Sequence, residues 1–196
     1  MASIYSAPST DTDKSGSNLV DGGSGDKTTC TSIYVIGLSP ETIFGLYAKG
    51  AVAGLQMSDK AEQTIRKTDG KQYQAMVTHF EWNLGLCVRD WRYGVRIANI
   101  DTATLTNNAA TGANILSLIE NGIERLPGFA GIRPVVVCNR TIRSFLRQQI
   151  SNKANNNLTW ETVGGKRVMM FGECEVLRND AIVNTEADIT GTFCPA

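Results

Sequence analysis

The single histidine of this chain, His79, is the residue through which acid–base or nucleophilic catalysis would have to run. It lies in an alternating stretch that predicts a β-strand, and the nearest cysteine in the sequence is Cys87. Their even spacing places both residues on one strand face, but about 26 Å apart if the strand is straight. We therefore interpret His79 as a surface or interface residue and predict no catalytic residue. A hydrolase in which His79 meets Cys138 or Cys174 is the alternative.

The five cysteines and the glycine runs do not match a known type of metal or phosphate site. The cysteines are odd in number and scattered, and none has the C-x-x-C spacing of zinc sites and redox motifs. Gly164-Gly165-Lys166 leads into a predicted strand, whereas a phosphate loop begins a helix, so we interpret these glycines as a turn. No apolar run approaches the roughly 20 residues that a membrane-spanning helix needs. The sequence thus predicts free thiols, no metal, no cofactor and synthesis in the cytoplasm.

The charges cancel over the whole chain, with 19 basic and 19 acidic side chains, but they are distributed unevenly. Residues 125–167 carry eight basic side chains and one acid, and residues 168–196 carry five acids and one arginine. Three interpretations stay open: a nucleic-acid-binding module that uses 125–167, charge-complementary packing between copies, and a solvated face with ion pairs inside the chain. The eight basic residues are Arg125, Arg133, Arg140, Arg143, Arg147, Lys153, Lys166 and Arg167.

Two parts of the chain would position these side chains. The first is β-rich and covers residues 31–100. Residues 1–30 are polar and rich in glycine, and we interpret them as a flexible lead or arm. The β-branched run 32–38 predicts a strand, and 42–47 is its predicted hairpin partner. Residues 49–71 predict a long loop with little regular structure, of a length that is usually functional.

Alternation is strongest over 73–100, where the sequence predicts extended strand interrupted at Arg89–Tyr93 by charged and aromatic residues. One face of this stretch is almost wholly apolar and includes Phe80 and Trp82. A half-buried strand needs such a face, so we expect Trp82 to lie in the core.

The hydrophobic period changes after residue 100, and residues 101–190 predict an α/β arrangement. A helix is expected from Thr111 until Pro127, followed by a buried apolar strand over 134–138. Asn139 is predicted to cap a second helix that buries Ile142 and Leu146.

The end of the chain is predicted to contain more strand. A β-hairpin is expected over 166–177 and one further strand over 181–183, whereas the Asn-rich tract 151–159 is expected to be a loop. Residues 191–196 form a tail to which we assign no role. The predicted fold class is therefore α+β.

Four stretches, taken in order, resemble the major capsid proteins of epsilon-type short-tailed bacteriophages. They are residues 79–100, 138–147, 163–168 and 179–187, and the resemblance spans about residues 16 to 190. It implies the Hong Kong 97-type coat fold, in which a β-rich peripheral domain is followed by an α/β axial domain. Members of that family carry a further section before the point that matches residues 1–30. This chain is therefore expected to correspond to the peripheral and axial body of a coat protein.

The resemblance also implies a structural role without enzymatic activity. Copies would assemble into pentamers and hexamers of an icosahedral head that encloses double-stranded DNA, and the protein would be found in the virion after synthesis in the bacterial host. Portal, scaffolding and decoration proteins are further candidate partners. Aromatic residues and arginine are enriched at interfaces, and carboxylates can pair with arginine across them. Our candidate subunit-interface residues are Trp91, Arg92, Tyr93, Arg140, Arg143, Arg147, Trp160, Glu173 and Glu175.

Overall fold

The computed structural model describes residues 5, 7–23, 28–48, 54–107, 114–151, 158–163 and 166–194. The chain divides into two compact units. The larger unit consists of Met1–Ile43 and Val88–Ala196, and the smaller unit is Phe44–Cys87. Several expectations lie outside the described residues: the predicted helix start at 111–113, the centre of the Asn-rich loop at 152–157 and the Gly164-Gly165 turn.

Strands predominate in the described part of the chain, and the fold class is mixed α and β, as expected. The strands are β1 (Leu19–Asp21), β2 (Cys30–Leu38), β3 (Ile43–Leu46), β4 (Gln56–Arg66), β5 (Gln72–Glu81), β6 (Gly85–Val88), β7 (Gly94–Asp101), β8 (Arg133–Cys138), β9 (Leu158–Val163), β10 (Lys166–Phe171) and β11 (Cys174–Arg178). The helices are α1 (Thr102–Asn107), α2 (Ile115–Glu124) and α3 (Arg140–Ser151), and short 3-10 turns cover Ser15–Asn18 and Trp91–Tyr93.

The large sheet has the order β1-β7-β2-β8-β11-β10-β9, with β3 paired to β2 and β6. Its centre consists of β2, β7 and β8. All residues of β7 are buried, β2 has no exposed residue, and in β8 only Arg133 is exposed. β2 is antiparallel to β7 and β8, and β8 is parallel to β11. The predicted hairpin of β10 and β11 is confirmed by their antiparallel pairing.

One face of the sheet is covered by α2 and α3. The main core joins Val35 and Ile97 of the sheet to Ile119 of α2 and Leu146 of α3, all essentially without solvent exposure. Gly122 lets α2 approach the sheet closely, because a Cβ there would meet Val35 and Ile97 side-chain atoms at 3.2 and 3.3 Å. The predicted cap of α3 is also present: Asn139 Oδ1 accepts a hydrogen bond from the backbone N–H of Ile142, at 2.9 Å.

The opposite face of β7 is covered by the two ends of the chain. Tyr5, Leu19 and Ala98 form a second buried cluster, against which Ile189 and Phe193 pack. Residues 1–30 were expected to be a flexible lead or arm, and part of this segment packs on the large sheet. β1 pairs with β7 in parallel, and Tyr5 has no solvent exposure, because a few apolar residues in the polar lead meet an open sheet face.

Three predicted elements differ from the structure. The segment 42–47 forms β3, which is parallel to β2 at Leu38 and Ile43 and does not form the expected hairpin with it. The predicted loop 49–71 contains β4, an eleven-residue strand antiparallel to β5. Nearly all residues of β4 are exposed and most are polar, so the strand has no hydrophobic pattern by which the sequence could predict it. The predicted strand 181–183 is a turn and bend.

The core assignment of Trp82 is also wrong, since 61% of this side chain is exposed. The predicted strand is also interrupted, because β5 ends at Glu81 and Trp82 lies between β5 and β6. The division at residue 100 into a peripheral and an axial part stays a prediction. In the large sheet, β2, which comes from the first part, pairs directly with β8, which comes from the second.

Candidate functional site

The charged and aromatic segment at residues 90–93 forms a compact turn. Asp90 caps the 3-10 turn by accepting a hydrogen bond from the Arg92 backbone N–H, and it also holds the Arg92 side chain in a two-pronged ion pair at 2.7–3.2 Å. Hydrogen bonds from Arg92 lower the pKa of Asp90. Trp91 and Tyr93 are half-buried, and the Trp91 carbonyl accepts a 2.7 Å hydrogen bond from the Tyr5 hydroxyl. Arg92 is therefore the exposed residue of this candidate interface segment.

The three candidate arginines of α3 have different environments. Arg140 is exposed and lies 3.4 Å from the Asp180 carboxylate. Arg143 is half-buried, with an Nε atom that is inaccessible to solvent and has no hydrogen-bond partner. Arg147 is exposed. An open depression of about 360 Å³ beside α3 is lined by Leu105, Arg140, Thr141, Ser144, Phe145 and Gln148.

The remaining candidate interface residues lie in the β9–β11 region. Glu173 is exposed at the turn between β10 and β11, whereas Glu175 is half-buried and forms an ion pair with Arg133. The Trp160 backbone pairs with Met169, and its side chain lies outside the described part of the structure. The structure thus does not gather the nine candidates into one site.

Several basic residues of the 125–167 segment contact groups within the same chain. The Arg125 guanidinium donates hydrogen bonds to the backbone carbonyls of Ser17 and, at 2.8 Å, Cys194, and burial lowers its pKa. Arg133 pairs with Glu175 and Arg140 with Asp180, as noted above. These contacts favour the third interpretation of the charge pattern, ion pairs inside the chain, for these arginines.

A buried polar network around Arg96 was not predicted from the sequence. Arg96 is 7% exposed, and its guanidinium donates to Ser32 Oγ at 3.0 Å, to the Tyr5 carbonyl at 3.1 Å and to the Glu186 carboxylate at 2.9 Å. It also lies 5.8 Å from the centre of the Tyr34 ring. The one available signal was an arginine inside an apolar strand pattern, because such a residue requires a buried partner.

A second surface that was missed consists of apolar side chains in the smaller unit. Large apolar residues of this unit, among them Trp82 and Phe80, are 45–75% exposed. Leu46, Tyr47, Ala48, Asn83, Leu84 and Gly85 line an open depression of about 450 Å³ within it. Patches of this kind on a soluble protein mark interaction sites.

The groups considered for catalysis are His79 and the cysteines. His79 is exposed on β5, and none of the five cysteines, all of which lie in the described part of the chain, forms a disulfide. Burial raises the pKa of Cys138 to about 12 and that of Cys174 to about 11, which makes both thiols poor nucleophiles near neutral pH. Within the described ranges, His, Cys, Asp and Glu residues do not form a group of three that could hold a metal ion. No helix in those ranges has the length and apolar character needed to span a membrane.

Two kinds of comparison with known proteins give matches. A family model described as Major capsid protein GP7 matches residues 1–190. Among solved structures, the chain is similar to a chain of the cryo-EM structure of bacteriophage epsilon15, with 32% sequence identity and a TM-score of 0.57. That match covers 94% of this chain and 57% of the other, so this chain spans little more than half of its relative's length. No match was found among curated proteins.

Proposed function

The chain belongs to the Major capsid protein GP7 family, and from this membership we propose that it is a coat subunit that assembles into pentamers and hexamers of an icosahedral phage head. The observation that carries the proposal is the match of residues 1–190, nearly the whole chain, to the family model. A coat protein acts through contacts between many copies, so its function needs complementary surfaces and no catalytic group.

The proposal includes the Hong Kong 97-type fold, with a β-rich peripheral part over 31–100 and an axial part over 101–190. The similarity to the epsilon15 chain supports a shared architecture. In this interpretation α2 and the strand–helix pair of β8 and α3 belong to the axial part.

The candidate interface residues differ in solvent exposure, and an exposed side chain can contact a neighbouring copy directly. Arg92, Arg140, Arg147 and Glu173 are exposed and could reach a neighbouring copy without refolding of the subunit. Glu175 is half-buried and is paired with Arg133. We therefore propose Arg92, Arg140, Arg147 and Glu173 as the first positions at which to look for contacts between copies.

The enclosed cargo is proposed to be double-stranded DNA, held without sequence specificity. The uneven charge over 125–167 and the exposed Arg147 support contact with phosphates, and such contact weakens as salt screens it. Portal, scaffolding and decoration proteins are proposed as further partners, and the virion as the site of function.

The proposal is tested by purifying the 196-residue chain and measuring its mass against concentration by light scattering, with negative-stain microscopy of the products. We expect capsomers or closed shells. A chain that stays strictly monomeric at high concentration would contradict the coat function. DNA contact is tested separately by titration at two salt concentrations, and undetectable binding at low salt would exclude it.

A further inference from the structure

Two segments that are far apart in the sequence are attached to the same strand of the large sheet. The first, which we call the lead segment, comprises the described residues 5 and 7–23 and pairs with β7 through β1. The second, the C-terminal segment 179–194, is bound to β7 through Arg96 and Asn99. Apart from β1 and a short 3-10 turn, the described residues of both segments form neither helices nor strands. Their attachment therefore depends on individual contacts, several of which the two segments share.

Arg96 of β7 binds both segments at once. Its guanidinium donates to the Tyr5 carbonyl of the lead segment at 3.1 Å and to the Glu186 carboxylate of the C-terminal segment at 2.9 Å. Only 7% of Arg96 is exposed, so these acceptors take the place of water around its charge. Departure of either segment removes part of this replacement.

Asn99 of β7 also binds both segments. Its side-chain amide donates to the Asp21 carboxylate of the lead segment and to the Ile189 carbonyl of the C-terminal segment, both at 3.0 Å. Ile189 packs in addition against the second buried cluster, to which the lead segment contributes two of the three residues. The apolar contacts therefore join the same two segments as the polar ones.

Arg125, at the end of α2, provides a third shared contact, and the segments also touch each other. Its guanidinium donates to the carbonyl of Ser17 in the lead segment and, at 2.8 Å, to that of Cys194 in the C-terminal segment. Gly191 has a φ of +148°, and a Cβ at this position would overlap the ring of Pro8. The absence of a side chain at Gly191 thus lets the two segments pack closely.

The shared contacts make the two attachments depend on each other. If the C-terminal segment left alone, the Arg96 guanidinium would lose the Glu186 carboxylate, and removal of one partner of a buried ion pair is strongly unfavourable. If the lead segment left alone, Arg125 and Asn99 would each lose an acceptor. When both segments leave, water can hydrate all of these groups. Joint opening is therefore favoured over the opening of either segment alone.

We propose that the lead segment and the C-terminal segment form one latch over β7, a conformational device that opens and closes as a unit. An event that releases one segment would thereby release the other, and such coupling is equal in both directions. Opening uncovers Tyr5, Leu19 and Ala98, which are at most 1% exposed when the latch is closed. The latch is a property of the single subunit and does not depend on the proposed coat function.

Hydrogen exchange of the wild-type chain in graded urea tests for joint opening without any variant. The probes are the backbone N–H groups of Gly22, Glu186 and Ile189, which are bonded to Ala98, Cys30 and Asn99 at 2.7–3.0 Å. Amides that open in one step share one opening free energy and one dependence on urea. We expect the three probes to follow one common line in NMR exchange measurements. This line should have a smaller urea dependence than that of the β8 amides, which report unfolding of the whole sheet.

Glu186→Ala tests transmission from the C-terminal segment to the lead segment. Because the latch loses a buried ion pair with Arg96, we expect the Gly22 amide to exchange roughly ten-fold faster at low urea. Glu175→Ala is the matched control. Its carboxylate is 21% exposed, against 20% for Glu186, and is also paired with an arginine, but it lies on β11. The control should leave exchange at Gly22 unchanged.

Asn18→Ala tests transmission in the other direction. Asn18 is buried in the lead segment and donates to two backbone carbonyls of residues 92–94, both at 3.1 Å. We expect the Glu186 amide, which is bonded to the Cys30 carbonyl, to exchange roughly ten-fold faster in this variant. Thr42→Ala is the matched control, because Thr42 is equally a buried side chain that bonds to backbone carbonyls and lies outside both segments.

Segments that open independently would overturn the latch. In that case Glu186→Ala would speed exchange at Ile189 but change exchange at Gly22 less than about two-fold, and urea would give the lead and C-terminal probes separate lines. A common line with the urea dependence of the β8 amides would also overturn it, because the segments would then open only with the whole fold. The urea measurement decides the matter even if a substitution disturbs folding. The coat function is tested separately, by assembly.

Discussion

The guanidinium of Arg96 lies 2.9 Å from the carboxylate of Glu186, a residue ninety positions further along the chain. Arg96 is on β7 of the large sheet. Glu186 lies in the C-terminal segment, where it forms an isolated β-bridge with Cys30. Ser32 contacts both partners, since it accepts from Arg96 and donates to Glu186. The pair therefore attaches the end of the chain to the sheet.

Removal of one partner of this pair should destabilise the protein strongly. Glu186→Ala leaves the Arg96 charge in a site that is 8% exposed, and we expect a loss of about 3 kcal/mol in the free energy of unfolding. Urea denaturation measures it. The control is Glu41→Ala, which breaks the exposed pair with Arg89 and should cost less than about 1 kcal/mol. Equal effects of the two substitutions would show that the buried pair has no special role.

Asn99 should stabilise the fold in two ways, through its tolerance of a positive φ and through the hydrogen bonds of its side chain. It has a φ of +58°, at the bulge where β7 slips against β2, and its side chain exchanges two hydrogen bonds with the Ile189 backbone, at 2.9 and 3.0 Å. Asn99→Ala should cost about 3 kcal/mol, because it loses both hydrogen bonds and disfavours the positive φ. Asn99→Gly keeps the positive φ and should cost about 1 kcal/mol less.

Limited proteolysis gives a second measurement for Asn99. Both variants should be cleaved faster than the wild type near Ile189, because the C-terminal segment loses its attachment to β7. Protease resistance that matches the wild type would contradict this attachment, whatever the effect on unfolding.

Alkaline pH should destabilise the fold through Tyr5. Burial, together with the nearby negative charge of Asp90, raises the pKa of Tyr5 to about 12. The folded state favours the neutral phenol, so its stabilising effect is complete below pH 10, the ordinary pKa, and is lost as pH rises from 10 towards 12. Urea denaturation across this pH range should show that the free energy of unfolding falls less for Tyr5→Phe than for the wild type. Tyr47→Phe, an exposed position, is the control and should behave as the wild type does.

The five thiols should differ in reactivity in the native protein. Cys87 and Cys194 are half-buried, whereas Cys30, Cys138 and Cys174 are buried. Because burial raises the pKa of Cys138 to about 12, little of it is thiolate at pH 8. A thiol-specific reagent at pH 8 should therefore label the first two quickly and the other three only after unfolding. Rapid labelling of Cys138 would contradict the packed core.

The sequence by itself determined the elements whose signals are local. Asn139 as a helix cap, the apolar strand β8 and the β10–β11 hairpin were all predicted, because a cap, an apolar run and a turn each depend on a few neighbouring residues. The resemblance of four sequence stretches also gave the capsid family, which the family model supports.

Only the tertiary structure decided which surfaces meet. The polar strand β4 forms by pairing with β5, and hydrogen bonds between strands leave no hydrophobic pattern in a sequence. Tyr5 and Ile189 are packed near β7 because distant segments meet there. Alternation likewise predicted an apolar strand face that includes Trp82, whereas this residue lies between β5 and β6 and is exposed. Alternation shows that a face is suited to burial, whereas the covering partner depends on contacts far away in sequence or on another copy.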